Sequence, residues 1–123
     1  MNIRFYCDLY ISNGWEKKQL KLMKKLMQNK LQPSVYVITL AQGKQNHLEF
    51  FSSVLLKQHI FEHSDLFVVG LANGYDDALY MLEQITQQVL DATGTVDLRK
   101  FIEARQLEFD RKLSEAAGAE KQR

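Results

Sequence analysis

His59, Glu62 and His63 are the residues whose types and spacing are best suited to chemistry. Four residues of α-helix advance the chain by about 400°, so the two imidazoles fall roughly 40° apart on one face, close enough to share a metal ion. Glu62 would then stand beside a metal-bound water as a general base. A second place is the strand-to-helix passage from Gly70 to Asp77. Its candidate ligand-binding residues are Gly70, Asn73, Gly74, Asp76 and Asp77. Backbone N–H groups at such a turn can cradle a phosphate, and adjacent carboxylates can hold a divalent cation.

The order His59-Ile60-Phe61-Glu62-His63 resembles that of the inverzincin metallopeptidases, which implies His59 and His63 as metal ligands and a third ligand from elsewhere. The likeness covers five residues, a strand follows directly after Ser64-Asp65, and no downstream acid stands out as the third ligand. Solvated polar residues at a helix C-terminus, where the dipole favours His, explain the same segment without a metal. The turn at Asn73-Gly74 carries neither the dinucleotide Gly-x-Gly-x-x-Gly nor the Gly-Lys-Ser/Thr of a P-loop. Asp76 and Asp77 would repel an anion there and complement the dipole of the helix they open. Cys7 is the single cysteine, with no Cys-x-x-Cys pair or Gly-x-Ser-x-Gly elbow beside it. No catalytic residue is assigned on this reading, and no cofactor is expected.

Charge is segregated along the chain. Residues 1 to 48 hold eight Lys/Arg against two acids, residues 49 to 123 eight against thirteen, so the halves stand at +6 and −5 within a net charge of +1. Lys17, Lys18, Lys21, Lys24 and Lys25 place five lysines in nine positions, opposite a Leu/Met stripe. Such a face suits an acidic protein partner better than nucleic acid, because no aromatic residue interleaves with the lysines to stack on bases.

These features need elements to carry them. Residues 3 to 11 alternate, with Ile3, Phe5, Cys7, Leu9 and Ile11 predicted on an apolar face. Arg4, Tyr6, Asp8 and Tyr10 fall on the wet one, where Arg4, Tyr6 and Tyr10 are residue types that interfaces favour. A basic amphipathic helix is predicted from Trp15 to Leu31, ended by Gln32-Pro33. Val35–Leu40 and Leu66–Val69 are apolar on both faces, as strands covered from both sides are. Between them, Asn46 and Glu49 resemble a capping box, predicting a helix to about His63 whose broad apolar face includes Phe50, Phe51 and Phe61. Helices from Tyr75 to Gly94 and from about Asp97 complete the order β-α-β-α-β-α-α.

Together these spell a small three-layer α/β domain over residues 1–115 with about three mainly parallel strands, the first at an edge, and a frayed tail over 116–123. A chain of 123 residues, 46% hydrophobic and 25% charged, is sized for one soluble domain. It holds no apolar run near the roughly 20 residues a membrane span needs. The lone cysteine and the absence of an apolar leader before the first strand fit the cytosol. The expectation is a self-associating interaction module, most simply a homodimer, without catalysis; the alternative is a metal-dependent hydrolase built on His59, Glu62 and His63.

Overall fold

In the computed structural model, which describes residues 2–41, 47–57 and 65–121, two strands without a polar face set the architecture. β2 (Val35–Leu40) and β4 (Asp65–Asn73) lie side by side and antiparallel at the centre of a four-stranded sheet of order β1-β4-β2-β3. β1 (Asn2–Ile11) pairs parallel with β4 at one edge, and β3 (Leu48–Ser52) pairs antiparallel with β2 at the other. The sheet is therefore mixed and mostly antiparallel, which corrects the mainly parallel three-stranded β-α-β-α-β-α-α expectation.

The missing strand is the one read as a helix. Leu48–Ser52 pairs residue for residue with β2, from Leu40↔Leu48 to Tyr36↔Ser52, and a 3₁₀ turn over Ser53–Lys57 follows. Leu48 and Phe50 face one side of the sheet and Phe51 the other. Pairing with β2 satisfies the backbone and lets alternate aromatic residues enter both cores, so tertiary context overrides the helical spacing.

Each face of the sheet is covered by helix. On one side α1 (Gln19–Met27) packs Leu22, Met23 and Leu26 against Ile3, Phe5, Val37, Val68 and Leu71. This helix is shorter than its sequence period suggests. A 3₁₀ turn over Glu16–Lys18 precedes it, and Asn29 adopts φ 55° to end it before Pro33 is reached. On the opposite side, α2 (Tyr75–Thr93) and α3 (Leu98–Lys121) bury Ala78, Met81, Ile85, Val89, Leu98 and Ile102 against Tyr6, Ile38, Leu40 and Val69. Gly94, at φ 76°, closes α2 by donating its N–H to the Leu90 carbonyl. Asp97 Oδ1 accepts the Lys100 N–H to open α3, which runs past Ala116 as helix.

The alternation of β1 breaks midway. Between Phe5↔Val68 and Tyr10↔Gly70 the edge strand advances five residues while β4 advances two. Tyr6 and Cys7 consequently both pack on the α2/α3 side, so Cys7 leaves the face shared by Ile3, Phe5 and Leu9.

Two substitutions test this core. Ile85→Ala, at a fully buried position, is expected to lower unfolding free energy by about 2–5 kcal/mol. Thr39 is buried with its Oγ1 unpartnered among the described residues, so Thr39→Val is expected to raise stability by about 1 kcal/mol. Urea titration of the full chain measures both.

Candidate functional site

The strand-to-helix turn is a joint between the two parallel strands. The Ser12 N–H donates to the Leu71 carbonyl at 3.1 Å, tying the end of β1 to the end of β4. The Asn73 N–H donates to Ser12 Oγ at 2.8 Å, and that hydroxyl donates to Asp77 Oδ2 at 3.2 Å. Gly74, at φ 91°, donates its N–H to the Ser34 carbonyl. Two N–H groups expected to face an anion are thus used within the fold, while Asp76 and Asp77 occupy the first turn of α2. Gly70 lies within β4, where a Cβ would meet Met81 Sδ at 2.7 Å; its small size serves the approach of α2 to the sheet.

His59, Glu62 and His63, together with Phe61, lie outside the described residues. Among the described residues, no three His, Cys, Asp or Glu side chains come together as a metal-holding group.

The polar face of β1 is partly covered by α2 and α3, with Arg4 and Asp8 still exposed. Tyr6 is 3% exposed and belongs to the core, which corrects its reading as an interface residue. Tyr10 donates its hydroxyl hydrogen to Gln88 Oε1, and the Cys7 N–H donates to Gln106 Oε1 at 2.7 Å. Asp8 pairs with Arg105 of α3. Burial, with Asp8 as a lesser cause, raises the Cys7 thiol above its ordinary range, and burial likewise raises the Tyr6 and Tyr10 hydroxyls. None of the three is an activated nucleophile or base at neutral pH. Arg4 remains exposed, its guanidinium carbon 5.5 Å from the Phe67 ring centroid. Phe50 and Phe51 are half-buried, on opposite faces of β3.

Sequence reasoning missed a cleft of about 370 Å³ between α3 and the sheet, lined by Arg4, Asp65, Phe67, Arg99 and Glu103 among others. Its lining is drawn from β1, the end of β2, β4 and α3, spread from Arg4 to Asp110 along the chain, and no local spacing signals it. Arg99 donates to Glu103 and to the Ala41 carbonyl, fastening the start of α3 to the end of β2.

The outer side of α1 presents a run of cations. Lys17, Lys18, Lys21 and Lys24 are exposed and Lys25 half-exposed, and none has an ion-pair partner among the described residues. Leu20 and Met27 stand among them at 79% and 63% exposure. The helix's Leu22, Met23 and Leu26 are committed to the core, which leaves Leu20 and Met27 as its exposed apolar side chains. No helix among the described residues is long and apolar enough to cross a membrane. Compared with known proteins, the chain matches no family model, no curated protein and no solved structure.

Two outcomes follow from the geometry of β1 and the joint. Cys7 is expected to react with a disulfide reagent more slowly in the native chain at pH 8 than in urea, and equal rates would contradict its partial burial. Ser12→Ala strands the Asn73 N–H and is expected to cost about 1–3 kcal/mol in urea titration.

Proposed function

We propose that this chain is a cytoplasmic interaction module without catalysis, which self-associates as two or more copies and docks an acidic protein surface on the lysines of α1. One observation carries the reading. The lysine face is separated by the full thickness of the sheet from the acids of α2, so those acids do not neutralise it within one chain. Unpaired like charges on a short helix repel one another, and an external acidic surface relieves that repulsion. Leu20 and Met27 among the lysines favour a protein partner, which offers apolar side chains as well as carboxylates. Nucleic acid is the poorer fit, since α1 holds no aromatic residue to stack on a base. The free thiol of Cys7 accords with a reducing compartment.

Sedimentation velocity of the full chain over a range of concentrations tests the self-association. In roughly 0.05 M salt a species larger than one chain is expected, dissociating near 1 M salt where the screening length falls to about 3 Å. A single-chain species at every concentration and salt would overturn the reading.

A further inference from the structure

We infer that the acidic surface taken by α1 is the outer face of α2 on a second copy of the chain, so that copies associate head to tail. This rests on the self-association proposed above and names its two faces. α2 contains Asp76, Asp77, Glu83 and Asp91 and no Lys or Arg. None of these acids has an ion-pair partner among the described residues; Asp77 accepts from Ser12 and Asp91 from Gln87. Leu79, Tyr80 and Leu90 are exposed beside them at 37%, 58% and 40%, as Leu20 and Met27 are beside the lysines. Each face thus carries apolar side chains set among charges of one sign, and the signs are opposite.

Lengths and totals also match. At about 1.5 Å per residue α1 is roughly 14 Å long and α2 roughly 28 Å, so the lysine helix fits within the acidic one. Leu20 and Met27 are seven residues apart, and Asp76 and Glu83, which bracket Leu79 and Tyr80, are likewise seven apart. The net charge of +1 leaves stacked copies close to neutral. Symmetric docking through either face is disfavoured, because α1 on α1 opposes lysine to lysine and α2 on α2 opposes acid to acid. α1 and α2 cover opposite faces of the sheet. A contact between them is therefore heterologous and leaves a free α1 at one end and a free α2 at the other, so assembly continues past two copies.

Paired charge reversals of the full chain test this. Lys21→Glu with Lys24→Glu reverses α1, and Glu83→Lys with Asp91→Lys reverses α2; all four positions are exposed, and circular dichroism checks that each variant folds. By sedimentation velocity at low salt, each double variant alone is expected to associate about tenfold more weakly than the wild type, or worse. An equimolar mixture of the two is expected to regain association, since each keeps one native face and the reversed faces complement each other. If the α2 variant assembles like the wild type while the α1 variant does not, or if mixing restores nothing, the pairing of these two faces is overturned although self-association stands. A wild type that never associates removes both.

Discussion

The burial of β2 and β4 on both faces is the constraint from which the rest follows. Val37, Val68 and Leu71 need cover on one side of the sheet, and Ile38, Val69 and Ala72 on the other, all at essentially zero exposure. No single helix can supply both, so α1 goes to one face and α2 with α3 to the other. At roughly 25 cal/mol per Å² of apolar surface, burying one such Val or Ile contributes about 1.5–3 kcal/mol, several times what an exposed ion pair offers. Packing therefore decides where the charged helices sit, and their charges must accept the positions that result.

The same constraint was legible in the residues of β2 and β4, whose apolar runs lack a polar side. Direction was not, because a strand buried on both faces has no alternation to betray which neighbour runs which way. The helix period through Ala78, Ile85 and Val89 and the stop at Gly94 were equally plain, since spacing, capping and burial agree there. Leu48–Ser52 misled because Phe50, Phe51, Val54 and Phe61 also fit a helical face, widened by Leu48 and Leu55, and only the open edge of β2 decides between the two readings. In β1 the two-residue period held up to Phe5. The register break falls between Phe5 and Tyr10, opposite the β4 stretch from Val68 to Gly70, and no local pattern encodes it.

Of the candidate site, the lysine face could be read directly, since exposure of a charged helix side needs no knowledge of topology. What the sequence could not supply was the whereabouts of the opposing acids. With charge of +6 in one part of the chain and −5 in the other, internal pairing was as natural as external pairing until the sheet was seen to lie between α1 and α2. Tyr6 of β1 belongs to the core instead of a partner surface for a related reason. α3 crosses that strand, and Gln106 and Arg105 take up Cys7 and Asp8.

Helix energetics of the chain itself explain only part of the charge pattern. Lys24 and Lys25 in the last turn of α1 and Asp76 and Asp77 in the first turn of α2 complement their own helix dipoles. Lys17 and Lys18 sit instead at the amino end of α1, where a cation is unfavourable, and Asp91 sits near the carboxyl end of α2, where an anion is. Each such misplacement costs on the order of 0.3–1 kcal/mol at an exposed site, and no ion pair among the described residues offsets it. In the head-to-tail contact proposed above, these charges would lie on or beside the two faces that meet, and the opposing charge of a second copy would offset part of that cost.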